Sequence, residues 1–61
     1  MDIYRETQIR KDFDKGVSID VTVVENGEEI ENKVFNKDNG FIEEVVDFIT
    51  YNENSGYDVF C

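Results

Sequence analysis

Asn26-Gly27 is the feature that most constrains this chain. Both central residues of a two-residue hairpin turn need positive φ, and Asn-Gly is the pair best suited to supply it. On its N-terminal side Val17, Ile19, Val21 and Val23 alternate with Ser18, Asp20 and Thr22, the period of a strand with one buried face. Folding at Asn26-Gly27 sets Glu25 opposite Glu28, Val23 opposite Ile30, Val21 opposite Asn32, Ile19 opposite Val34 and Asp20 opposite Lys33. Val23 and Ile19 then meet apolar residues on one face, and an opposite-charge pair falls on the other. A slip of one residue places Val21 and Ile19 against charged partners, so the pattern specifies a register. In that register Phe35 and Val24 turn to the face opposite Val34.

The segment before the hairpin is more polar. Ile3, Thr7, Ile9 and Phe13 occupy odd positions, the pattern of the inward side of a strand, and Arg5 and Lys11 interrupt that side as charges do on sheet edges. Asp14-Lys15-Gly16 then reads as a three-residue hairpin loop with Gly16 left-handed. Such a loop sets Phe13 opposite Val17, Ile9 opposite Val21 and Arg10 opposite Asp20. Asp20 would lie between Arg10 and Lys33, with Val17–Val24 at the centre of an antiparallel meander.

Asn36 to Gly40 is a turn cluster without β formers. Asp38 or Asn39 is placed to cap a following helix, whose positive end would suit Glu43 and Glu44. At 100° per residue, Phe41, Ile42, Val45, Val46, Phe48 and Ile49 fall within an arc of about 160°. Glu43, Asp47 and Thr50 lie opposite, with Glu44 and Tyr51 beside them. Asn52 to Gly56 ends the helix, and Tyr57 to Cys61 reads as a short terminal strand. The expected fold is therefore α+β: a three-stranded antiparallel β-meander, one amphipathic helix on one face, and a short C-terminal fourth strand (βββαβ). Residues 1–61 form one small acidic domain, and there is no internal repeat.

A chain of 61 residues has a marginal core, and small domains often lean on disulfides, metals or oligomerisation. One cysteine and no histidine exclude an internal disulfide and a finger-type zinc site. Eight aromatic rings offset this in part, because each buries a large area. No apolar run reads as a signal peptide or a membrane span, which with a single thiol points to the cytoplasm.

Charge excludes more. The net charge is −9, and it is unevenly spread. Residues 25–61 hold ten acids against two bases, Lys33 and Lys37, whereas residues 1–24 are nearly balanced. Direct binding to nucleic acid or to an anionic membrane is disfavoured.

Catalytic chemistry has little footing. Cys61 lacks a histidine to activate it and reads as a packing or exposed thiol. Asp12 with Asp14, and Asp38 with Glu43 and Glu44, lack the ligand spacing of a calcium loop and read as turn and cap residues. Paired carboxylates need a cleft that drives their pKa values apart, and a chain this small has little room for one. No enzyme activity, cofactor or metal is expected.

The carboxylates carry the functional expectation. Glu25, Glu28, Glu29 and Glu31 surround the hairpin tip, and Glu43, Glu44 and Asp47 share a helix face without an intervening lysine. Like charges three and four apart cost a few tenths of a kcal/mol each. A solvated, solubilising face accounts for the pattern. So does a surface that competes for a basic groove on another protein, with Phe35 or Tyr51 as apolar anchor. The second alternative describes a small acidic inhibitor or decoy that mimics nucleic acid and occupies a basic site, for instance on a nucleic-acid-binding protein. The likeness to small phage-encoded inhibitors is one of size and charge alone. A self-associating accessory protein, whose sheet completes its core in a homodimer, is the other reading.

Overall fold

The computed structural model describes residues 1–61 and has the order α1 (Ile3–Asp14), β1 (Ile19–Glu25), β2 (Glu28–Phe35), α2 (Ile42–Asn54) and β3 (Asp58–Phe60). The three strands form one antiparallel sheet in the order β2-β1-β3, so the Val17–Val24 stretch supplies the central strand as expected. A helix and a short C-terminal strand also follow in the expected order, but α2 starts at Ile42 with Phe41 exposed as its cap instead of on the inward arc, and it runs through Asn52 to Asn54 instead of ending before them. The α+β class, with an antiparallel sheet covered on one face, is thus shown.

The N-terminal segment is a helix, not an edge strand. Asp2 caps it, accepting a 2.8 Å hydrogen bond from the Arg5 amide, and Glu6–Arg10 and Gln8–Asp12 tie successive turns. Ile9 and Phe13, four apart, are its only buried residues. Gly16 does adopt the left-handed conformation, at φ +86°, but it ends a helix instead of turning a hairpin. The Gly16 amide donates to the Phe13 carbonyl and that of Val17 to Asp12, which satisfies two of the helix's last carbonyls. The expected pairings of Phe13 with Val17, Ile9 with Val21 and Arg10 with Asp20 do not form. Val17 precedes β1 and is exposed.

The hairpin turn forms at Asn26-Gly27, both at positive φ, with Glu25 opposite Glu28. Its register then departs from the expected one. A bulge leaves Ile30 unpaired, so Val23 faces Glu31, Val21 faces Lys33, Asp20 faces Val34 and Ile19 faces Phe35. The physical reason lies at the far end of the strand. One extra residue exchanges Val34 for Phe35 on the inner face, and a phenyl ring buries more area than an isopropyl group. Phe35 is 4% exposed and meets Phe48 edge to face at 5.5 Å between centroids. Lys33, on the same face, lays its ammonium over both rings, 5.1 Å from Phe35 and 5.6 Å from Phe48. The charged residue opposite Val21 is thereby accommodated. Asp20 has neither Arg10 nor Lys33 beside it; Asn32 donates to its carboxylate instead.

Neither Asp38 nor Asn39 caps α2. The cap position is Phe41, whose side chain cannot accept a hydrogen bond, and only the Glu44 carboxylate reaches back to the Phe41 amide, at 3.2 Å. Val45 and Ile49 from α2 join Ile9 and Phe13 from α1 against Ile19, Val21 and Phe35 in one core. Both helices therefore lie on the same face of the sheet. The other face is open, which fits a molecule measuring 33 × 22 × 14 Å.

Candidate functional site: an acidic surface and a groove

The exposed carboxylates follow from the two elements read most directly in the sequence. The bulged hairpin presents Glu25, Glu28, Glu29 and Glu31 to solvent, and α2 turns Glu43, Glu44, Asp47 and Tyr51 away from its buried Val45–Ile49 row. None of these seven acids takes part in an ion pair; the pairs present engage only Glu6 and Glu53. The two bases of the acidic segment are occupied elsewhere. Lys33 rests on the Phe35 and Phe48 rings, and Lys37 donates to the Asp14 carbonyl at 3.1 Å. The segment therefore keeps its negative charge at the surface.

The hairpin-turn acids and the first-turn acids of α2 lie toward opposite ends of β2. Glu25 and Glu28 face each other at the hairpin turn, whereas α2 starts beyond Phe35, at the opposite end of β2. The seven steps from Glu28 to Phe35 separate these ends by about 23 Å at roughly 3.3 Å per residue. Phe35 is no exposed anchor, because it is core. Tyr51 is 71% exposed on the α2 face that carries Glu44 and Asp47, and Phe41 is exposed at the start of that helix.

A second feature was not legible in the sequence. A groove of about 350 Å³ runs between α1 and the start of β1, lined by Arg5, Gln8, Ile9 and Asp12 on one side and the Val17–Asp20 stretch on the other. Cys61 also lines it. The spacing of the four helical residues marks a single helix face, a signal visible only once residues 3–14 are read as helical.

Arg5 holds this region together. Its guanidinium donates to Glu53 Oε2 at 3.1 Å, the Val59 carbonyl at 3.0 Å and Cys61 Sγ at 3.2 Å. Burial of Arg5 opposes its charged form, but Cys61 and then Glu53 more than offset that, and its pKa is held above the ordinary value. Glu53 Oε1 is buried without a hydrogen bond of its own, and the terminal ammonium of Met1, 3.0 Å away, compensates its charge. No three His, Cys, Asp or Glu side chains converge as a metal site would require, and no helix is long and apolar enough to cross a membrane.

No family model, no curated protein and no solved structure matches the chain.

Proposed function

We propose that this protein is a non-enzymatic binding protein, an acidic inhibitor or decoy whose carboxylates stand in for phosphates at a basic site of another protein. One observation carries the reading: seven exposed acids of the hairpin and α2 are unpaired, while the two nearby lysines are committed to aromatic rings and a backbone carbonyl. Exposed carboxylates steer a basic partner during encounter, and an exposed ring such as Tyr51 acts after contact. The separation of the hairpin-turn acids from the first-turn acids of α2 suits an extended basic surface better than a small pocket. The partner class favoured is a nucleic-acid-binding protein.

The test is capture by the immobilised chain from a lysate of the cells that make it, beside the triple variant Glu43→Lys, Glu44→Lys, Asp47→Lys. The reading expects a basic nucleic-acid-binding protein that is retained by the chain, released by added duplex DNA and lost with the variant. Retention that duplex DNA does not compete, or that the variant leaves unchanged, overturns it. With a captured partner in hand, the triple reversal should mainly slow association and flatten its salt dependence. Tyr51→Ala should mainly speed dissociation, at a cost of about 2 kcal/mol.

A second reading rests on the open sheet face. Val34 and Phe60 are 50% and 60% exposed there, and a second copy could cover them in a homodimer. The free edge of β2 is a poor alternative contact, being bulged at Ile30 and lined with glutamates. Solution mass across a range of concentrations separates a dimer from a monomeric decoy.

A further inference from the structure

The sheet leaves part of its central strand without a neighbour. β1 pairs with β2 from Ile19 to Glu25, but with β3 only at Thr22, Val23 and Val24. The two-residue turn makes Glu25 and Glu28 a hydrogen-bonded pair, so alternate residues Val23, Val21 and Ile19 also direct their backbone groups toward β2. Val24, Thr22 and Asp20 direct theirs the other way. Two contacts agree: the Val21 carbonyl accepts from the side-chain amide of Asn32 on β2, and Val59, opposite Val23, turns its carbonyl outward to Arg5. Thr22 and Val24 meet β3. Asp20 comes next in the row, and it faces the groove.

That groove has the chemistry of a peptide site. Ile9, Val17 and Ile19 give it an apolar lining, and about 350 Å³ lies at the lower end of the roughly 300–1,000 Å³ typical of binding pockets. Its one cation, Arg5, is already committed to Glu53, Val59 and Cys61. Asp12 and Asp20 each have a single hydrogen-bond partner, Gln8 and Asn32, and neither is in an ion pair. The unmet charge of the groove is negative.

We propose that the groove receives an extended segment of a partner protein that alternates basic and apolar side chains. The segment adds as a strand antiparallel to β1, in line with β3. The Asp20 amide and carbonyl supply its main-chain hydrogen bonds, exposed Val17 with the edges of Ile9 and Ile19 takes its apolar side chains on the helix-bearing face, and the Asp20 carboxylate takes its basic ones on the open face. Continuity with the β1–β3 pairing sets its direction, and the charge of the groove sets its composition. This site is separate from the carboxylates of the hairpin tip and α2.

The test is nuclear magnetic resonance of the intact chain titrated with the peptide acetyl-Lys-Val-Lys-Val-Lys-amide. Saturable shifts are expected at Ser18 to Asp20 and along residues 5–12, with exchange of the Asp20 amide slowed roughly tenfold at saturation. Asp20→Asn should weaken binding roughly threefold, the scale of one exposed ion pair. Val17→Lys, at an exposed position on the rim, should weaken it by a similar factor without moving the melting temperature. Four outcomes overturn the proposal. They are equal protection by the acidic peptide with Glu for Lys, the same shifts from free lysine, shifts confined to the hairpin tip and α2, and protection of Asp20 that rises with protein concentration without peptide. The third outcome would leave the decoy reading standing while removing this one, and the fourth would assign the groove to a second copy.

Discussion

The two helices of this protein end in the same way and are held in different ways. Each closes on a left-handed glycine, Gly16 or Gly56, with amides donating to Phe13 and Asp12 after α1 and to Glu53 and Asn52 after α2. Each then delivers the chain into a strand. α2 buries Val45, Ile49 and Asn52, with Ile42, Val46 and Phe48 partly covered around them. α1 buries only Ile9 and Phe13, and its Ile3 and Tyr4 lie in solvent. What α1 lacks in apolar contact it makes up in polar ties: the Asp2 cap, two side-chain pairs along its surface, and Arg5 clamped to Glu53 and Val59. An isolated helix of its length is marginal in water, so α1 depends on two side chains and one clamp. The comparison predicts that α2 belongs to the cooperative core, whereas α1 opens before it.

The largest effect should come from the core side of the comparison. Ile49 is fully buried, and Ile49→Ala should cost about 2–5 kcal/mol. A chain of 61 residues has a total stability of roughly 3–9 kcal/mol at 0.05–0.15 kcal/mol per residue, so much of the population should unfold. Phe35→Ala belongs with it, at about 3–5 kcal/mol, because the ring is core and not interface. Thermal melting followed by circular dichroism checks both. A Phe35→Ala protein that melts like the parent would restore the ring to the surface.

The same contrast explains what the sequence disclosed. α2 was legible because six apolar residues fall on one arc, a pattern that no strand reproduces. The turn at Asn26-Gly27 and the central position of β1 were legible because turn chemistry and period-two alternation coincide. In α1 the odd-numbered Ile3, Thr7, Ile9 and Phe13 imitate a strand, and with two buried residues the true period has almost nothing to show itself by. The helical signals were local and polar: Asp2 as cap, Glu6 with Arg10, and Gly16 as stop. The bulge at Ile30 was hidden for another reason. Pairing by residue type favours Val34 inward, and only the approach of Phe48 from a distant helix makes Phe35 the better choice. The acids were placed correctly as exposed. The groove was not foreseen, since it exists only where α1 lies against β1.

A smaller and more local effect should follow from loosening the clamp. Arg5→Gln removes the charge from hydrogen bonds to Glu53 and Val59, at a cost of about 1.5–2 kcal/mol. Hydrogen exchange should show the amides of α1 opening roughly tenfold more often, while those of β1 and α2 keep their protection. If protection falls equally in both helices, α1 is part of the global unit and the distinction fails.

The smallest effect gives the sharpest comparison, because the same chemical change is made at both helix ends. Gly16 and Gly56 sit at φ +86° and +91°, and a Cβ at either would meet no heavy atom closer than 3.6 Å. Steric crowding between side chains is thus removed from the experiment, and only the left-handed backbone penalises alanine, by about 1 kcal/mol. The local cost should be equal at the two sites. Its consequence should not be. Gly56→Ala strains the link between α2 and β3, both part of the core sheet assembly, and should lower the melting midpoint by about 4–8 °C. Gly16→Ala strains the end of an element already able to open by itself, so the strain is released when α1 opens and weighs little on the melting of the core. Its midpoint should move by less than half as much, with faster exchange confined to the amides of residues 12–17. Equal midpoint shifts for the two variants would show that α1 and α2 melt as one body, and that two buried side chains and an arginine clamp suffice for full cooperativity.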